Sequence, residues 1–296
     1  MKKFFYLFTF ALFLPVMLTA QENAQKDSTL GWHFFNTGTL SFTQSSFTNW
    51  ATGGENSLAM NGMVLSGFNY KSNEYIWDNG LLMAYGMQKQ GDKELRKTTD
   101  KLEFNSKYGY HAIKNWYYSA LVGFMTQFDR GYKYDDDAGT KTLISNFMAP
   151  AYINIALGMN YKPSKEFSLF IGPLSGRTTV VNDTSLSINY GLDPGDKTRN
   201  EFGGSVKANL NKNIMKNVNL VSQLVLFSNY VENPQNIDVD LQMLFTMKIN
   251  KFLTATLNLQ FIYDDDIMIT DTDGNTGPRL QVKEIFGLGL SYKISN

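Results

Sequence analysis

The chain has 296 residues, and its 27 Lys+Arg balance 27 Asp+Glu, so no net charge draws it to nucleic acid or to an acidic partner. It contains no Cys, which excludes disulfides, thiolate metal sites, a thiol nucleophile and lipid attachment at an N-terminal Cys. With 16 Tyr, 22 Phe and 24 Gly against only 7 Pro, the composition favours β-structure over helices or a Pro-rich linker.

Met1-Lys2-Lys3, the apolar run from Phe4 to Leu18, and Thr19-Ala20 ahead of Gln21 form the three regions of a secretory signal peptide. Residues 1–20 are therefore expected to be removed, and 21–31 to form a short periplasmic segment before a single domain, 32–296. The apolar run is about 15 residues, short of the roughly 20 that a spanning helix needs. No later stretch approaches that length, so any crossing of a membrane must be made by strands.

Period-two alternation then recurs along the chain. Strands are expected at 34–44, 56–70, 74–88, 99–111, 115–129, 148–161, 166–181, 200–211, 217–230, 236–250, 252–264 and 281–294. In 236–250 the odd positions Val239, Leu241, Met243, Phe245 and Met247 oppose Asp238, Asp240, Gln242, Thr246 and Lys248. In 252–264 Leu253, Leu257, Leu259, Phe261 and Tyr263 oppose Thr254, Thr256, Asn258 and Gln260. Pro173 has no N–H for a ladder and marks a bulge in 166–181.

Short and long connections alternate between these strands, as they do in an up-and-down barrel whose odd and even loops lie at opposite ends. The expected fold is all-β: a closed antiparallel transmembrane β-barrel of about twelve strands, with short turns and both termini on the periplasmic side of an outer membrane. Tyr70, Trp77, Tyr110, Trp116, Tyr118, Tyr161 and Tyr292 fall on the apolar parity beside short turns or the C-terminus, where they form a periplasmic aromatic girdle. Lys101, Glu103, Lys107, Glu201, Lys207, Asp240 and Lys283 fall on the polar parity and are candidates to line the lumen.

Two acidic runs end in the same letters, Tyr134-Asp135-Asp136-Asp137 and Tyr263-Asp264-Asp265-Asp266. Clustered carboxylates at loop positions suit Ca²⁺, a hard cation that takes six to eight oxygens. They suit better the point at which strands leave the bilayer, where charge is nearly free. Asp271, Asp273, Gly274 and Asn275 sit in the same last loop. His33 and His111 both fall at the periplasmic end, so neither serves as base to a Ser at the opposite rim.

Asn49-Trp50-Ala51-Thr52-Gly53-Gly54, Asn79-Gly80, Tyr85-Gly86, the run Phe147 to Tyr152, Pro173-Leu174-Ser175-Gly176 and Tyr263-Asp264-Asp265-Asp266 together resemble a family of outer-membrane β-barrels of Bacteroidetes-type Gram-negative bacteria that carries a domain-of-unknown-function label. The resemblance covers about residues 31–294 and implies a barrel in the outer membrane, with no activity attached. The sequence thus supports a narrow channel for small polar solutes. The alternative is a binding or scaffolding barrel whose long loops engage a partner, a glycan or Ca²⁺. An enzyme lacks a nucleophile–base pair on one rim, and no catalytic residue or organic cofactor is expected.

Overall fold

A computed structural model describes residues 30–48, 55–270 and 274–295, the last five without their side chains. The expected signal peptide, Trp50, Gly53, Gly54, Asp271 and Asp273 lie outside the described residues. The first half of the chain forms β1 (Gly31–Ser45), β2 (Ser57–Lys71), β3 (Tyr75–Gln90), β4 (Arg96–Ile113), β5 (Trp116–Thr126), a short pair β6 (Gly131–Asp135) and β7 (Thr140–Ser145), β8 (Ala151–Tyr161) and β9 (Phe167–Val180). A 3₁₀ helix (Thr184–Tyr190) follows, then β10 (Thr198–Met215), β11 (Val218–Asn229), β12 (Asp238–Lys248), β13 (Leu253–Tyr263), a second short pair β14 (Met268–Thr270) and β15 (Thr276–Pro278), and β16 (Gln281–Ser295).

Twelve strands close into one ring in the order β1-β16-β13-β12-β11-β10-β9-β8-β5-β4-β3-β2, and every neighbouring pair is antiparallel. All twelve expected barrel strands are present. β6–β7 and β14–β15 are separate hairpins in the loops. β3 and β4 run on to Gln90 and back from Arg96, so their connection is shorter than the alternation implies. Above the membrane both faces meet water, and a strand there need not alternate. Pro173 sits in a bulge: Leu157 pairs with Leu174 and Met159 with Ile171, leaving Gly172-Pro173 outside the β8–β9 ladder.

The burial pattern is inverted relative to a water-soluble barrel. Leu40, Phe42, Val64, Val122, Ile155, Leu157, Ile171, Phe286, Leu288 and Leu290 all face outward and are exposed. Water-soluble chains do not leave so continuous an apolar surface bare, whereas a bilayer covers it. Strands of 11 to 18 residues exceed the roughly 9–11 needed to cross hydrocarbon at a tilt. At the short-turn end Trp32 stacks on Phe68 at 4.4 Å and packs against Tyr70 at 5.0 Å, Tyr70 stacks on Tyr75 at 5.5 Å, and Tyr75 on Tyr108 at 5.8 Å.

Further round the same end Trp116 packs on Tyr161 at 4.9 Å, and Trp77, Tyr110 and Tyr118 are exposed. Tyr292 pairs through its backbone with Gly38. Trp32, Phe68 and Tyr108 extend this belt beyond the residues expected for it. β1 starts at Gly31, three residues ahead of its expected start, which brings Trp32 into the ladder opposite Tyr70.

The ring closes through its shortest seam. β1 pairs with β2 over its whole length but with β16 only from Phe35↔Ser295 to Ser41↔Gly289. At the other end of the barrel Val181 and Ala149 are fully buried with Leu186 and Leu192, so the 3₁₀ helix is pinned onto the rim. Asp183 caps that helix, its Oδ1 accepting from Ser185 N, and Gly191 ends it in the left-handed region at φ 71°.

Gly158 lies opposite the bulge, where an added Cβ would fall on the backbone of Ile171 and Gly172. Gly158→Val should destabilise the barrel by about 1–3 kcal/mol, read as a lower thermal midpoint in detergent. Gly62, whose nearest neighbour to an added Cβ is 3.9 Å away, accepts the same change with little loss.

Candidate functional site: a lumen divided by side chains

Antiparallel pairing fixes which residues point inward, and the inward face of β4 is Lys101, Glu103, Asn105 and Lys107. Glu103 Oε2 lies 2.7 Å from Lys101 Nζ, and its Oε1 accepts from Asn105 Nδ2 at 2.7 Å and from Gln223 Nε2 at 3.3 Å. Lys101 Nζ donates to Gln242 Oε1 at 2.8 Å, and Gln242 Nε2 donates to Asp240 Oδ2 at 2.8 Å. Gln260 Nε2 donates to the other Asp240 oxygen at 3.1 Å. Lys207 Nζ donates to Asn105 Oδ1 at 2.7 Å.

Three of these bonds cross the lumen. β4 and β12 stand opposite one another in the ring, with five strands between them on either side, so Lys101–Gln242 spans the barrel. Lys207–Asn105 and Gln223–Glu103 join β4 to β10 and β11. Together they form a polar septum.

Below the septum, towards the short turns, is a cavity of about 370 Å³; above it, towards the long loops, is one of about 310 Å³. Glu103, Asn105, Lys207, Gln223 and Gln242 border both. A third cavity of about 210 Å³ lies against Lys101, Lys283 and Gln260. Among the described residues, the groups that stand between these two cavities are side chains of barrel strands.

The two chambers differ in charge. The lower one has Lys107, Lys162, Lys165 and Lys207 on its walls with Asp78, Glu103 and Glu166. The upper one has Asp238, Asp240, Asp264 and Glu103 with Arg177 and Lys207, and the aromatic rings of Tyr152, Phe170, Phe227 and Tyr190. Arg177 is held by Asp238 at 2.5 Å and lies over the Phe227 ring at 3.9 Å. Tyr190 reaches in from the 3₁₀ helix and donates its hydroxyl to Ile144 O at 2.7 Å; burial pushes its pKa up to about 12. Of the expected lumen residues, Glu201 stands inward at the upper rim, paired with Arg199 at 3.2 Å.

The acidic runs are taken up in tying loops together. In the first, Asp136 pairs with Arg96 and, at 2.9 Å, with Lys93; these two cations hold its carboxyl well below the usual range. Arg96 also lies over the Tyr134 ring at 4.1 Å, and Lys141 reaches Glu94 at 2.8 Å. The β6–β7 hairpin is thus clasped to the β3–β4 connection. Asp135 Oδ1 accepts from Ala138 N at 3.0 Å within the hairpin turn, and Asp137 is exposed in that turn.

In the second run, Asp266 pairs with Arg199 at 3.1 Å, and Asp265 accepts from Asn236 and, at 3.2 Å, from the Tyr263 hydroxyl. Asp264 points into the upper chamber. The structure does not bring the six together: among the described residues no group of three or more His, Asp or Glu is arranged to hold a metal ion. His111 Nε2 lies 2.9 Å from Lys114 O at a short turn.

Burial, and to a lesser degree the neighbouring Asp238, lift the Asp264 carboxyl above its ordinary range. Its ionised form is thus less favourable in the folded barrel than in the unfolded chain, and stability is lost as pH rises through the lifted value. Asp264→Asn should therefore raise the thermal midpoint at neutral pH, and the gain should vanish below about pH 4, where Asp is protonated in both states.

Residues 42–132 match the family described as "Protein of unknown function (DUF3078)". A search of curated protein sequences finds no match. Among solved structures, the chain is similar to the translocator domain of the autotransporter NalP from Neisseria meningitidis, at 10% identity and TM-score 0.36, over 92% of this chain and 90% of that one. An outer membrane channel from Pseudomonas putida F1 aligns at 12% identity and TM-score 0.37, over 90% and 96%. OmpT of Vibrio cholerae aligns at 9% identity and TM-score 0.29, over 89% and 96%. At such scores nothing about function transfers to this chain, which shares about a third of its length with a family of unknown function.

Proposed function

We propose that this chain is an outer-membrane β-barrel of a Gram-negative envelope, with both termini periplasmic, acting as a narrow, gated passage for small polar solutes. The observation that carries the reading is the septum. Cavities with charged groups on their walls lie above and below it, and among the described residues it is made of side chains, which can swing aside without moving the backbone. The apolar exterior, the aromatic belt at the short-turn end and the sorting of long loops to the other end support the location and orientation.

Each cross-lumen bond contributes about 1–2 kcal/mol, two of the three being charge-assisted by lysine and the third by the Glu103 carboxylate. Three of them favour the closed form by about 3–6 kcal/mol, a closed-to-open ratio of roughly 10²–10⁴. The resting state is then closed, with brief openings.

Planar-bilayer recording tests this. The wild-type barrel should show rare openings, and Glu103→Ala combined with Lys207→Ala should raise the open fraction at least about 10-fold. A double variant that inserts, resists heat like the wild type and stays silent would sink the pore reading. The fused hairpin clasps at the outer rim, Lys93–Asp136 and Lys141–Glu94, favour a non-transporting binding barrel in that event.

A further inference from the structure

The lower chamber holds two ammonium groups whose nearest carboxylates, Asp78 and Glu103, are each already paired with another lysine. Lys162 Nζ lies 2.7 Å from both oxygens of Asp78. Lys107 Nζ, by contrast, donates to Asn160 Oδ1 at 2.8 Å and to Ser168 Oγ at 3.4 Å, both neutral. Lys207 Nζ donates to the neutral Asn105 Oδ1, and the nearby Glu103 is already paired with Lys101. Among the described residues neither Lys107 nor Lys207 forms an ion pair.

Lys107 is only 8% exposed, so its charge is largely stripped of water. A desolvated ammonium resting on neutral acceptors keeps a cost that a counter-ion would offset. Asn160 makes the arrangement pointed. It is fully buried, turns its carbonyl to Lys107, and its Nδ2 has no acceptor. An Asp there would neutralise Lys107 and remove the orphan donor.

We infer that the lower chamber takes its counter-ion from solution: it is a binding site for a small organic anion, a carboxylate or a phosphate, anchored by Lys107 and Lys207. At about 370 Å³ the cavity is at the small end of ligand pockets. The amides of Asn69 and Asn209 on the same walls suit hydroxyl groups on the ligand. Charge selects this chamber over the upper one, where Asp238, Asp240 and Asp264 repel an anion. The site requires the chamber to fill with solvent and does not require the septum to open, so it stands or falls separately from conduction.

Calorimetry on the purified full-length barrel, with citrate and with inorganic phosphate as probes at low ionic strength, tests the site. The wild type should bind at least one of them, and which one assigns the anion class. Lys107→Gln should weaken that binding about 10-fold or more. Asn160→Asp supplies an internal anion, so it should abolish binding while raising the thermal midpoint; it carries the test if Lys107→Gln does not fold. A wild type that takes up neither probe, or a folded Asn160→Asp that binds as the wild type does, overturns the site.

Discussion

In hydrocarbon an unpaired backbone N–H or C=O has no water to turn to, and each costs several kcal/mol. A sheet placed there has to close, because an open edge would expose a whole row of such groups. Closure by antiparallel neighbours forces an even ring, sorts the connections between two ends and gives every strand one lipid face and one inner face. The outward side chains follow from the bilayer, and the inward ones from whatever the ring must contain. In this chain that is a set of long polar residues, several of them charged.

The inner face explains the chemistry better than the loops do. Glu103 is the hub: it accepts from Lys101 and Asn105 on its own strand, β4, and from Gln223 on β11 across the barrel, while Lys101 and Asn105 in turn meet Gln242 on β12 and Lys207 on β10. Buried polar groups of this kind are tolerated only when satisfied, and the septum satisfies them from opposite walls. The acidic runs at the outer rim answer a different need. Exposed ion pairs contribute little singly, yet Asp136 and Asp266 each join segments distant in sequence, and so hold long connections against the rim.

Much of this was legible in the residues. Alternations such as Val239 to Met247 against Asp240 to Lys248 define barrel strands because one face must be apolar over the whole crossing. Pro173 announces its bulge by lacking a donor. The sequence reading missed structure where that physics stops. β6 and β7 lie outside the barrel wall and show no continuous apolar stripe, Leu143 alone packing against the rim cluster, although Tyr132, Tyr134 and the turn residues Asp137-Ala138-Gly139 are a hairpin signal. Lys101, Glu103, Lys107 and Lys207 can be assigned inward from parity alone. Which of them meet cannot, because contact across a lumen depends on the stagger between strands that are not neighbours.

β1 and β16 come from opposite ends of the chain, and they meet along only seven residue pairs. Every other ladder joins strands that are consecutive in the ring and, apart from loop hairpins, consecutive in sequence. Those ladders close short loops at little entropic cost, whereas the seam closes nearly the whole chain and needs the last strand in place. Until then the sheet has two bare edges. Ring closure is therefore the step with the largest loss of chain entropy and the fewest bonds to offset it, and the same seven pairs are where the ring is easiest to unzip.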